Sequence, residues 1–211
     1  MYTPKFNQVS DRALLIETMQ AWSFAILIGQ QSAPEIAAPL AATHLPLVVK
    51  DEGPHGLLEG HFARANRQWR ALAERETLAV FAGPHSYVSP ILYFDPLSVP
   101  TWNYIAVHAY GTLELVEKEA AKDALLEGLI GAHEPAFAEK WRAMPGDFRR
   151  SMLAGIVGFR IPIQRIEGKF KLSQNRSAAE RSNIQATHAA GSDDQRALAN
   201  WMARLGVSGI E

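Results

Sequence analysis

Cysteine is absent from the 211 residues, which excludes disulfides, zinc ribbons, thiolate nucleophiles and cysteine-ligated iron–sulfur clusters together. Neither sign of charge is in excess: 21 Lys and Arg stand against 22 Asp and Glu, a formal net charge of −1. Holding duplex DNA by counterion release needs a basic surface, so generic DNA binding is not expected, and only a local basic patch is compatible with the count. Long hydrophobic runs are missing too. The best candidate, 21–29, falls far short of the ~20 apolar residues of a spanning helix. The start Met1-Tyr2-Thr3-Pro4-Lys5-Phe6 has no apolar segment behind a basic one, so no secretory signal is expected. A soluble, cytoplasmic protein without a membrane partner is the expectation. There is no His-Glu-x-x-His, no Gly-x-Ser-x-Gly, no Gly-x-x-x-x-Gly-Lys-Ser/Thr and no Gly-x-Gly-x-x-Gly after a strand, which removes the usual support for metalloprotease, hydrolase and nucleotide-triphosphatase readings.

What is present is a packed composition, 47% apolar and 20% charged, of a size suited to one domain. Period-2 patterning is clearest over 103–116, where Ile105, Val107, Ala109, Gly111, Leu113 and Leu115 share one face and Tyr104, His108, Tyr110, Thr112 and Glu114 the other. Further strands are expected over 24–28, 41–50, 57–64, 78–81 and 157–171, the last at a sheet edge or with a bulge because Pro162 donates no ladder bond. Helices are expected over 12–20, between 64 and 76, and over 118–130, 137–144, 148–153, 178–189 and 193–205. Hairpin-length connections without strict βαβ alternation predict an α+β, mainly β protein: an antiparallel barrel with peripheral helices. The whole chain, 1–211, reads as a single domain, with 176–205 as its C-terminal helical extension.

Compact polar segments sit at strand ends. In Gly60-His61-Phe62-Ala63-Arg64-Ala65-Asn66, Arg64 and Asn66 fall where strand gives way to helix, a place that favours phosphate through free N–H groups and a bidentate guanidinium. The alternative is a surface ion pair at Arg64 and a capping Asn66. Lys171-Leu172-Ser173-Gln174-Asn175-Arg176 repeats that logic, with a capped polar turn as its alternative. His44, His61, His85 and His108 have no ligand spacing, so no metal is expected. Trp102 either stacks on an aromatic ligand or anchors a core or interface. The last two helices make a poor helix-turn-helix, because Asp193 and Asp194 at the start of the second repel phosphates.

These segments in this order resemble the PaiB family of FMN-binding negative transcriptional regulators. The resemblance runs from Met1-Tyr2-Thr3-Pro4-Lys5-Phe6 through Ala42-Thr43-His44-Leu45-Pro46-Leu47, Gly60 to Trp69, and Phe81 to Pro90. It continues in Val99-Pro100-Thr101-Trp102-Asn103-Tyr104 and Val107 to Gly111, and ends in Lys169 to Arg176. Arg67 stands where the family commonly has Pro, Ile91-Leu92-Tyr93 is more apolar than usual, and 24–39 is less typical. The resemblance implies a split β-barrel of the pyridoxamine-phosphate-oxidase-like type, a homodimer with FMN at the subunit interface. It implies phosphate contact by Arg64 and Asn66, with Thr43 and His44 beside the isoalloxazine and His61 on the neighbouring strand. Contacts from Trp102, Asn103, Lys171, Ser173, Gln174 and Asn175 follow from the same likeness. It leaves three functional classes: a flavin-binding regulator, a small flavin-dependent oxidoreductase or flavin reservoir, and a cofactor-free dimeric module.

Overall fold

The computed structural model of the chain describes residues 1–30 and 40–207; the part of the less typical stretch beyond Gln30, up to Pro39, lies outside them. In chain order the elements are β1 (Gln8–Val9), α1 (Arg12–Ala21), β2 (Phe24–Gln30), β3 (Leu40–Pro46), β4 (Val48–Lys50) and β5 (Leu57–Ala63). Next come α2 (Gln68–Leu72), β6 (Glu76–Val88), β7 (Thr101–Thr112), β8 (Glu114–Val116) and α3 (Glu119–His133). The chain continues through α4 (Ala138–Ala143), α5 (Gly146–Ala154), β9 (Ile156–Lys171), α6 (Ala178–Ala189) and α7 (Asp193–Arg204). The nine strands form one antiparallel sheet in the order β3-β2-β6-β7-β9-β5-β4, with β1 and β8 also pairing to β9. The two terminal strands of this path are consecutive in sequence with only Leu47 between them, and no ladder joins them. The sheet is therefore not closed, as in a split barrel.

Packing divides the chain into two compact units. One comprises Met1–Asp11, Ala82–Val107 and Glu167–Glu211, the other Arg12–Phe81 and His108–Ile166. In the larger unit the fully buried Phe62 and Phe159 meet at 5.0 Å between ring centroids, in a core with Leu27, Leu58, Leu72 and Ile161. Each such side chain contributes roughly 1.5–3 kcal/mol by leaving water. In the other unit, Phe170 meets Trp201 edge-on at 5.2 Å, which fastens α7 to the end of β9. Both C-terminal helices begin with reciprocal capping boxes, Ser177 with Glu180 and Ser192 with Gln195.

Two strand expectations need correction. The strand expected over 78–81 does not stop before Gly83-Pro84: β6 continues to Val88, with Pro84, Ser86 and Val88 buried while His85 and Tyr87 are exposed. Gly83 permits this because a Cβ there would lie 3.1 Å from the Ile105 carbonyl. Of the edge and the bulge expected at Pro162, the edge is excluded, since β9 lies between β7 and β5. Pro162 faces Leu57, and the next residue makes the bond, Ile163 N donating to Gly56 O at 3.0 Å. The Leu57–Pro162 pair is then a non-hydrogen-bonded one, so the β5–β9 ladder loses no bond at the proline. The short helix expected between 64 and 76 is α2, which carries Trp69 and Leu72; Asn66 and Glu74 bracket it, Asn66 N turning back to Ala63 O and Glu74 taking φ +57°.

Candidate functional site

Five of the residues singled out from the sequence lie in the larger unit. Thr43, on β3, receives a hydrogen bond from Asn66 Nδ2 at 3.0 Å and donates to Gln68 Oε1. Asn66 Oδ1 in turn accepts from Gln68 N at 3.0 Å, and Gln68 Nε2 donates to Ala41 O at 3.0 Å. The structure thus brings Thr43 and Asn66 together through Gln68, which is 3% exposed and went unnoticed in the sequence. Its only advance signal was its place at the mouth of α2. Asn66 stands one residue before Arg67, the N-cap of α2, so it is not the cap expected as its alternative; its Oδ1 instead takes the Gln68 N–H from the preceding turn.

Arg64 leaves the end of β5 in a fixed posture. Its backbone N donates to Gly155 O at 2.9 Å, Nε to Ala154 O at 2.6 Å and Nη2 to Ile156 O at 3.0 Å. No carboxylate among the described residues pairs with it, so among them the surface ion pair expected as its alternative does not form. The guanidinium borders a cavity of about 200 Å³ lined also by Trp69, Leu115, Val116, Glu117, Lys122 and Val157. A rigid, unbalanced guanidinium on a small cavity has the chemistry to take a phosphate group. The neighbouring α2, five residues long, is too short to add a helix dipole.

His44 and His61 are not gathered with that group by any hydrogen bond. His44 is exposed, its ring 6.0 Å from that of Phe24. His61 faces Gly158 across the β5–β9 ladder; its Nδ1 is buried without a partner, and desolvation holds its pKa below 6.5. Among the described residues no three His, Cys, Asp or Glu side chains cluster as metal ligands.

The remaining six residues lie in the other unit, where Asn103 and Ser173 form a buried pair. Asn103 is fully buried and accepts from Ser173 Oγ at 2.9 Å, while its Nδ2 has no partner. Ser173 takes φ +63°, a conformation uncommon for residues other than glycine. Lys171 Nζ donates to Trp102 O at 2.7 Å and to Thr101 Oγ1. Burial, and then the charges of Lys169 and Arg176, lower the Lys171 pKa. Trp102 is half exposed, with the exposed rings of His85 and Tyr87 each 6.1 Å away; the extension of β6 through Tyr87 creates this aromatic shelf, which the sequence reading missed by ending the strand early. Gln174 folds back on its own strand end, accepting from Leu172 N at 2.7 Å, as a polar turn does. Asn175 is exposed.

Comparison with known proteins adds lineage to this geometry. Residues 1–165 match a family model described as "Putative FMN-binding domain"; the Lys171–Asn175 segment, α6 and α7 lie beyond that range. The chain is 36% identical to the protease synthase and sporulation protein PAI 2 of Bacillus subtilis over 190 residues, 87% of each chain. Among solved structures it resembles an FAD- and haem-binding protein from Mycobacterium smegmatis, with TM-score 0.59 and 17% identity over 78% of this chain and 73% of that one. The flavocytochrome Anf3 of Azotobacter vinelandii gives TM-score 0.60 and 15% identity over 80% and 72%. At these identities the two structures speak for the fold alone.

Proposed function

Given that this chain belongs to the PaiB-like FMN-binding domain family, with FMN as its cofactor, we propose that it is a cytoplasmic flavin-binding regulator. In this reading a homodimer holds FMN at its interface and acts without gripping duplex DNA directly. The observation that carries the reading is Arg64: a guanidinium pinned by two backbone carbonyls, Ala154 O and Ile156 O, paired with no acid among the described residues and bordering a phosphate-sized cavity. FMN supplies the redox-active ring when bound; Arg64 binds and orients its phosphate. Tyr87, Ile91, Phe94, Leu97, Val99 and Trp102 are all exposed within sixteen residues of chain, an apolar surface of the kind a partner subunit covers.

Visible absorbance of the purified protein, followed by anaerobic titration with reduced nicotinamide cofactor, tests this reading. Bound flavin that nicotinamide does not reduce at a catalytic rate is the expected result. Rapid reduction with turnover would make the protein an oxidoreductase instead, and failure to retain or rebind FMN would overturn the flavin reading.

A further inference from the structure

Two cations border the cavity at Arg64, and among the described residues neither is paired with an acid. Lys122, on α3, is only 8% exposed, and its Nζ donates to a single acceptor, Leu153 O at 2.9 Å. Among the described residues neither Lys122 nor Arg64 takes part in an ion pair. Buried ammonium groups are ordinarily paired. The cavity's apolar wall is Trp69, Leu115, Val116 and Val157, and its single acid is the exposed Glu117.

Part of the explanation is local. Leu153 and Ala154 end α5, and cations commonly cap the free carbonyls of a helix C-terminus. That end carries only about half a negative charge, against two full positive ones. An ammonium has three donors and a guanidinium five, so donors remain after Leu153, Ala154 and Ile156 have each accepted one bond. The same turn, 153–156, therefore holds both cations in place while leaving their charge uncompensated.

We propose that Lys122 and Arg64 together form an oxyanion pocket that takes a terminal phosphate monoester, with Lys122 the second cation that discriminates FMN from riboflavin. The identity of the ligand rests on the FMN reading; the pocket itself does not. A dianion in this cavity would neutralise both side chains at once, whereas riboflavin, ending in a hydroxyl, would leave them as they are.

The test measures FMN and riboflavin binding by fluorescence quenching, and thermal unfolding in inorganic phosphate against chloride at equal ionic strength. It uses the unaltered protein, Lys122→Gln and Lys122→Arg. Gln keeps a donor for Leu153 O and removes the charge; Arg keeps both. Expected is protection by phosphate beyond chloride in the unaltered protein, and competition of phosphate with FMN but not with riboflavin. In Lys122→Gln, FMN affinity should fall roughly 10-fold or more with riboflavin affinity little changed, and Lys122→Arg should keep the preference for FMN. Phosphate that neither protects nor competes in the unaltered protein overturns the pocket, whether or not the Gln variant folds. So does a Gln variant with the full FMN preference. If FMN binds with no dependence on Lys122 or phosphate, the pocket fails and the FMN reading stands; if phosphate protects through Lys122 but FMN does not bind, the reverse holds.

Discussion

Replacing His188 by leucine should stabilise this protein, and more so in mild acid. His188 lies in α6 and is 1% exposed, and neither Nδ1 nor Nε2 has a hydrogen-bond partner. A neutral imidazole brings one donor and one acceptor, and each unpaired buried polar group costs roughly 1–3 kcal/mol. Leucine fills a similar space without polar atoms, so after some loss from imperfect packing a net gain of about 1–3 kcal/mol is expected at pH 7.5. Burial holds the His188 pKa below the ordinary 6.5. Between the folded and unfolded values the unfolded chain therefore binds more protons, and stability falls as pH falls below 6.5, by up to about 1.4 kcal/mol per pH unit. Above 6.5 this group gives no pH dependence. Urea denaturation of both proteins from pH 8 to pH 5 measures the difference and cancels the other titrating groups. A leucine variant less stable than the parent at every pH, or a gap that stays constant below pH 6.5, would show that the imidazole has a partner and that the reasoning is wrong.

Arg64→Ala should weaken FMN binding by about 10–150-fold, the worth of a charge-assisted contact of roughly 1.5–3 kcal/mol, and riboflavin binding much less; equal losses for both flavins, measured by fluorescence titration, would remove Arg64 as the phosphate partner. With a net charge of −1 and two aspartates opening α7, no salt-sensitive mobility shift of generic duplex is expected at near-physiological ionic strength, and a shift at low micromolar protein would speak for direct regulation. FMN and dimerisation should strengthen each other. Sedimentation at falling protein concentration, with and without FMN, tests that linkage, and a stable monomer binding FMN with unchanged affinity refutes it.

Local pattern made much of this fold legible. The alternation from Asn103 onward became β7, interrupted only where Leu113 exchanges backbone bonds with Glu74 and Arg75. The helices after Arg176 emerged within a residue of their expected ends, since their starts are written in Ser-x-x-Glu and Ser-x-x-Gln. What pattern could not show depends on a distant neighbour. Gly83-Pro84 looks like a stop until Ile105 lies against it, and Pro162 looks like an edge residue until its ladder phase is known. Arg64 stood out because a cation at a strand end has few local reasons to be there. Lys122 did not, because Glu-Ala-Ala-Lys reads as an ordinary solvent-facing helix turn, and only the end of α5 makes its position unusual. Of the face of 103–116 that carries Tyr104 and Tyr110, part is occupied within each unit: the Lys169 ammonium lies 5.3 Å from the Tyr104 ring centroid, and the Arg165 guanidinium lies 3.5 Å from that of Tyr110.

Strand β9 also bears on how the chain comes to be folded in a cell. It pairs with β1, β5 and β8 and sits beside β7, so Gln8 waits for Lys169, His61 for Gly158 and Leu115 for Phe159. Until the ribosome has released this segment, β1, β5 and β8 lack the ladder they share, and their amides stay open to other chains. Long-range pairing of this kind is slow, and unpaired strand edges are where nascent proteins associate wrongly. Truncation anywhere before residue 156 should therefore yield an aggregation-prone chain rather than a smaller working protein, and synthesis should be most dependent on chaperones in the interval just before β9 emerges.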